Sequence, residues 1–240
     1  MRILITNDDG IQAKGLIPLV NWARKLGAVT VAAPKFEQSG KSHGINILHP
    51  FEVKQVELVP GVTAYSVDST PADCVRFAVL GLKMEFDLVI SGINRGLNIG
   101  TDIMYSGTVA AVFEAANLGL KAIALSTPPA YYDHAVEHLD ELLAFVREND
   151  LLGKNPIWNI NIPTNAAQIR ITRQGGPYYS DDFPFIGENL VEPRGKCVYT
   201  DSSDLELDTN CTMHGIISVM PLTTDRTNMD VFHDLTHLNP

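Results

Sequence analysis

At 240 residues with 45% apolar side chains, the chain can bury one large core, as a single domain or as a domain with an appendage. A formal net charge of -10 and no Lys/Arg run exclude long nucleic acid held by its phosphates; a small phosphate ester can still bind where a metal supplies positive charge. Cys74, Cys197 and Cys211 are odd in number, far apart and without C-x-x-C spacing, which argues against a disulfide framework and a zinc site. No apolar stretch approaches membrane-spanning length, and Met1 leads straight into a strand pattern rather than a leader, so the expected location is the cytoplasm.

The opening stretch, MRILITNDDG, organises the rest. Ile3, Leu4 and Ile5 form a buried-strand pattern that stops at Thr6 and Asn7, and Gly10 lets the backbone turn. Residues 15–26 carry helical apolar spacing, with Gly27 as a C-cap, so the start of the chain reads as a βα unit. In open parallel sheets ligands sit outside the carboxyl ends of the strands, and Asp8 and Asp9 fall at such an end. Two readings stand. Asp-Asp-Gly can be turn and cap chemistry alone, or the two repelling carboxylates can share a hard divalent cation.

A second strand, 29–33, ends at Pro34 and opens into the polar loop KFEQSGKSHG, residues 35–44. Ser39 therefore lies on the same sheet edge as the acidic pair, and His43 is expected as a loop residue rather than a ligand. Strand patterns follow at 53–59 and 62–67, outside the simple βα rhythm. Thr70 as N-cap, Pro71 at N1 and Asp73 near the positive end start a helix to about residue 80, which gives Asp73 a structural task.

The strand at 86–90 opens into SGINRGLNIG, residues 91–100. Its glycines allow close backbone approach to a ligand, but it is not the G-x-G-x-x-G dinucleotide pattern. The amide oxygens of Asn94 and Asn98 can complete a hard-metal shell, and their N–H groups can hold phosphate oxygens. Ser106, Gly107 and Thr108 start a small-residue helix, 109–118, whose N-terminus is a ready phosphate site; plain capping by Ser106 or Thr108 is compatible with that role. A strand at 121–126 and a helix at 135–147 complete the first part, so that several βα loops converge on one edge.

Beyond residue 151 the rhythm changes. Strands are expected at 157–162, 169–173 and 215–220, with a closing helix at 227–238. Residues 174–196 are rich in Gly, Pro, Tyr and Asp and show no period. The expected organisation is one integrated domain: an α/β catalytic core over 1–150 and a sheet extension with a dimerisation arm over 151–240. Tyr178, Tyr179, Phe183 and Phe185 predict that the arm gains burial from a second copy.

NDDG at 7–10, QSGKS at 38–42, SGINRGLNIG at 91–100 and YSGTVAA at 105–111 together resemble, in order, the signatures of the SurE family, the stationary-phase survival nucleotidases. The resemblance covers the first half closely and the remainder loosely. It implies a Rossmann-like, mostly parallel sheet flanked by helices, with a β-rich C-terminal extension exchanged between subunits of a dimer or tetramer. It implies a hydrolase that removes phosphate from nucleoside 5′-monophosphates, and from 3′-monophosphates, with one divalent cation per subunit. By the same resemblance the metal ligands are Asp8, Asp9, Ser39 and Asn94; Asn98 and Ser106 lie beside the phosphate with Gly107 and Thr108; and Asp8, Asp9, Asn98 and Ser106 form the catalytic group. Arg95 departs from the Ala or His that often follows the Asn of S-G-I-N. Carboxylate, hydroxyl and amide oxygens suit magnesium, manganese or calcium better than zinc.

Two rivals differ in class. A signalling receiver domain also opens with a strand and an acidic pair, but here the comparable strand runs into Gly92 where a phospho-accepting Asp would stand, and the chain is too long. A non-enzymatic nucleotide-binding module on the same fold is separated by a phosphate-release assay with and without chelator.

Overall fold

The computed structural model describes residues 1–239. In chain order the elements are β1 (Arg2–Thr6), α1 (Leu16–Ala23), β2 (Ala28–Pro34), β3 (Val53–Val56), β4 (Thr63–Val67), α2 (Pro71–Arg76) and β5 (Leu88–Arg95). A 3-10 turn (Gly100–Tyr105) leads into α3 (Gly107–Asn117), then β6 (Ala122–Thr127), α4 (Tyr132–Glu137), α5 (Leu139–Glu148) and α6 (Leu151–Lys154). The last part holds β7 (Ile157–Asn161), β8 (Ile169–Ile171), β9 (Tyr179–Asp182), β10 (Phe185–Gly187), β11 (Leu190–Val191), β12 (Arg194–Cys197), α7 (Asp208–Met213), β13 (Ile217–Pro221) and α8 (Met229–Leu235).

Nine strands form one sheet in the order β3-β4-β2-β1-β5-β6-β7-β13-β8. From β4 to β7 all neighbours are parallel; β3 and β13 are antiparallel to β4 and β7. The chain leaves β1 toward β2 and returns later on its other side as β5, with Thr6 opposite Ser91. The carboxyl ends of β1 and β5 therefore frame the topological switch point, where such sheets bind ligands.

Helices cover both faces, which is why β1 reads as an unbroken apolar run rather than an alternation. Ile3 and Ile5 point into one layer with Leu16, Leu19, Leu139 and Leu142; Leu4 points into the other with Val75, Val109 and Val112. Ile3, Leu4 and Ile5 are fully buried, each contributing about 1.5–3 kcal/mol of transfer free energy.

Several expected elements differ in detail. The expected helix to residue 80 is α-helical only to Arg76 and continues as a π-helical turn, Phe77–Gly81, in which Leu82 N–H reaches the Phe77 carbonyl. The expected helix at 135–147 starts earlier and breaks at His138, whose N–H bonds to the Ala135 carbonyl in a tighter turn. Residues 174–196, expected without regular structure, contain a two-tier hairpin in which β9 pairs with β12 and β10 with β11. Its strand residues are exposed on both faces, so no alternation of apolar and polar residues marks them in sequence. The short helix α7 also escapes the pattern, because Asp208, Thr209, Asn210 and Thr212 are polar yet buried.

Candidate active site

The turn after β1 is closed by Asn7, whose amide donates to the Gly10 carbonyl at 2.9 Å and whose Oδ1 accepts the Gly10 N–H at 3.1 Å. Gly10 has a φ of +97°, which suits glycine. Helix α1 has no side-chain cap. Neither the turn nor the helix uses the carboxylates of Asp8 and Asp9. This weakens the reading of Asp-Asp-Gly as turn and cap chemistry alone.

Asp8 is buried beneath the first turn of α3 and accepts a 2.6 Å hydrogen bond from Thr108 Oγ1. A Cβ on Gly107 would stand 2.8 Å from the Asp8 Cβ, so only glycine lets the helix N-terminus approach this closely. Burial raises the Asp8 pKa, opposed by the Thr108 hydroxyl and the nearby backbone N–H groups. Asp9 Oδ2 accepts the Arg95 backbone N–H at 2.8 Å, and the Arg95 Nε lies 3.8 Å from Oδ1. Burial pushes the Asp9 pKa up to about 6; the Arg95 N–H opposes this and the Asp8 charge adds to it.

The loop that carries Ser39 is tied to the same turn, since Gln38 N–H bonds to the Asp8 carbonyl at 2.7 Å. The Ser39 hydroxyl is exposed and donates to Glu37 Oε1 at 2.7 Å, and Arg95 Nη2 holds the same Glu37 oxygen at 3.0 Å. Asn94 stands near the carboxyl end of β5; its amide nitrogen donates to the Gly96 carbonyl at 2.8 Å, which leaves Oδ1 as a bare acceptor among the described residues. Asn98 is placed differently. Its amide donates to Ser126 Oγ at 2.8 Å, its N–H to Asn161 Oδ1 at 2.8 Å, and its carbonyl accepts from Asn159 and Asn161. The backbone N–H and one side-chain N–H of Asn98 are thus engaged within the protein, while the second N–H of its amide has no partner among the described residues.

Ser106 caps α3, its Oγ accepting the Val109 N–H at 3.1 Å, so the capping expectation holds. It also borders a cavity of about 470 Å³ along the helix flank. Asp9 and Arg95 line a separate cavity of about 380 Å³ with Glu37 and Tyr132.

Among the described residues no three His, Cys, Asp or Glu side chains cluster as a metal site. A cation at the acidic pair would therefore need neutral oxygens to complete its shell. Asn94 Oδ1 and Ser39 Oγ are of that kind, and two neighbouring carboxylates whose pKa values are raised by burial are a fitting pair for a hard cation.

Sequence reasoning missed Ser126, Asn159, Asn161 and Asp208. A signal existed for the two asparagines: in the strand pattern WNIN they recur at period two and so share a face of the sheet. Asp208 gives none, yet it is fully buried and accepts N–H groups from Gly100, Gly175 and Thr209. Asp73 stands in the first turn of α2 as expected, and in addition accepts from Ser69 Oγ and the Asn46 N–H. His43 is bonded to Glu114, whose pKa is held below the usual carboxylate range by His43 and then Arg76.

Fold and site together define an α/β protein of the Rossmann-like class, with an acidic pocket under a helix N-terminus at the switch point. Residues 3–181 match the family described as Survival protein SurE. A relative from Alkaliphilus metalliredigens, named 5′-nucleotidase SurE, is 37% identical over 256 residues, covering 100% of this chain and 99% of its own. One of the same name from Legionella pneumophila (strain Paris) is 38% identical, covering 99% and 97%. The crystal structure of the SurE protein from Aquifex aeolicus matches with a TM-score of 0.80 at 28% identity over the whole of both chains. The chain belongs to the SurE family.

Proposed function

We propose that this chain is a divalent-metal-dependent phosphomonoesterase that hydrolyses nucleoside 5′-monophosphates, and also 3′-monophosphates, to nucleoside and phosphate. The observation that carries the proposal is the buried Asp8 carboxylate, bonded to Thr108 beneath the N-terminus of α3 and beside Asp9. That arrangement sets a cation-binding pair against an anion-binding helix end, the two charges a metal-bound phosphate ester presents. The names of the curated relatives supply the nucleotide.

Asp8, Asp9, Ser39 and Asn94 would hold the cation, with magnesium or manganese favoured by the oxygen donors and calcium able to substitute. When bound, the cation supplies Lewis-acid polarisation of the phosphoryl group and a position for the attacking water. The chain's own part is positioning. The backbone N–H groups at Gly107 and Thr108 are turned on the Asp8 carboxylate, and the Ser106 hydroxyl, whose oxygen accepts the cap bond, keeps its proton free to donate. Thr108 holds Asp8 in one rotamer, and the Arg95 N–H holds Asp9. Asn98 acts through Ser126 and the β7 asparagines, fixing the loop above the site.

The proposed assembly is a homo-oligomer, a dimer or a pair of dimers, built through the arm, with exposed Tyr179, Phe183, Phe185 and Leu190 as the contact surface. The three cysteines are free, and no helix among the described residues is long and apolar enough to cross a membrane; both fit the proposed cytoplasmic location. Phosphate release across a panel of nucleoside monophosphates, cyclic diesters and duplex DNA, with and without chelator, tests the function. Monophosphate hydrolysis abolished by chelator is expected; cleavage of a diester with monophosphates untouched overturns the proposal.

A further inference from the structure

The cavity of about 470 Å³ along α3 contains neither carboxylate of the acidic pair, but Ser106, at the start of the helix whose first turn covers Asp8, is in its wall. Ser106, Ala110 and Phe113 line it at helical spacing. It therefore runs from the first turn of α3, where Gly107 and Thr108 cover Asp8, to a point about 10 Å further along the helix. Its volume lies in the range of small-molecule pockets, and Ile103, Met104 and Phe113 give it apolar walls. A phosphate held at the α3 N-terminus would leave the rest of its ester facing this space.

His43 is fixed in the wall. Its Nε2 lies 2.8 Å from Glu114 Oε2, and Arg76 Nη1 donates to the other Glu114 oxygen at 2.9 Å. The imidazole stacks on Phe113 with centroids 6.3 Å apart and 29° between planes. A carboxylate only accepts, so Nε2 carries a proton and Nδ1 is the ring nitrogen turned away from Glu114. Among the described residues Nδ1 has no hydrogen-bond partner.

We infer that this cavity is the nucleoside subsite of the phosphomonoester site: Phe113 and His43 present an aromatic wall for the base, and His43 Nδ1 offers a hydrogen-bonding position to base or sugar. The inference rests on the function proposed above and adds where the nucleoside lies and which residues select for it. The competing role of His43 is to pin the 35–44 loop to α3 through Glu114, and the test separates the two.

Phe113→Leu keeps apolar bulk and so the fold, which an unchanged Tm checks, but removes the aromatic face. Adenosine 5′-monophosphate is compared with glycerol 2-phosphate, which has no base. The ratio of their kcat/KM values should fall about tenfold or more in the variant, through KM for the nucleotide, as loss of one base–aromatic stack does. Titration with adenosine, which carries no phosphate, should show binding to the wild-type protein that weakens about tenfold in Phe113→Leu. An unchanged ratio, or adenosine binding that is absent or equal in both proteins, overturns the inference. Adenosine binding that depends on Phe113 in a protein releasing phosphate from neither ester supports the nucleoside cavity and overturns the nucleotidase reading alone.

Discussion

β1 and the hairpin arm are both built from short strands, and they differ in almost every other respect. Ile3, Leu4 and Ile5 are fully buried, paired on both sides and covered by helices on both faces. The arm strands β9 to β12 pair only with one another and leave Phe183, Phe185 and Leu190 in solvent. An isolated two-stranded ribbon is marginal in water, so the arm as a single copy has no source of stability comparable with that of β1. The contrast teaches a division of labour: the buried half fixes carboxylates to within a hydrogen bond, while the arm leaves large apolar side chains uncovered, which is why it is the proposed assembly surface.

The largest expected effect lies at the buried end. Asp9→Asn keeps the shape and removes one of two adjacent charges; phosphate release should fall about 100-fold or more, and the metal-free protein should melt no lower than wild type. Metal-induced stabilisation should shrink, since it follows the ratio of free metal to dissociation constant. Wild-type activity in this variant would remove the metal site and most of the functional proposal. Gly107→Ala comes next. The added Cβ meets Asp8 at 2.8 Å, and overpacking of this kind costs about 1–3 kcal/mol, to be read as a lower denaturation midpoint together with lost activity. An alanine variant with wild-type stability would show that the helix end does not need so close an approach.

Smaller effects sharpen the other side of the comparison. Arg95→Gln leaves the backbone N–H that Asp9 accepts and removes only a half-exposed guanidinium, so stability should change by less than about 1 kcal/mol. A fall in phosphate release as large as that expected of Asp9→Asn would mean that the side chain, not the N–H, holds the carboxylate. Phe185→Ser with Leu190→Ser should leave the unfolding free energy of the separated subunit within about 0.5 kcal/mol per substitution while halving the mass seen by light scattering. Unchanged mass would break the assignment of the arm as the assembly surface.

What the sequence makes legible follows the same division. β1, β2, β5 and β6 can be read because strands buried on both faces must be continuous apolar runs, and the acidic pair can be read because it ends one of them. Ser106 as a cap and Thr70-Pro71 as a helix start depend on local chemistry, and both are found. Asn98 could be named but not assigned its partners, because Ser126, Asn159 and Asn161 arrive from two other strands. The hairpin could not be read because neither face is buried, and α7 because its buried face is polar.

Asp208 gives the molecule an order in time. Its carboxylate joins Gly100, 108 positions earlier, to Gly175, 33 positions earlier, with the Thr209 N–H as a third donor. Contacts so distant in sequence form late, because a long loop must close before they contribute. A chain still emerging from the ribosome can complete β1, α3 and β6, but the segment between β5 and α3 has no acceptor for Gly100 until the last quarter has been synthesised. Nascent chains that stop short of Asp208 would carry every residue of the acidic pocket without the clasp that holds its upper loop in place.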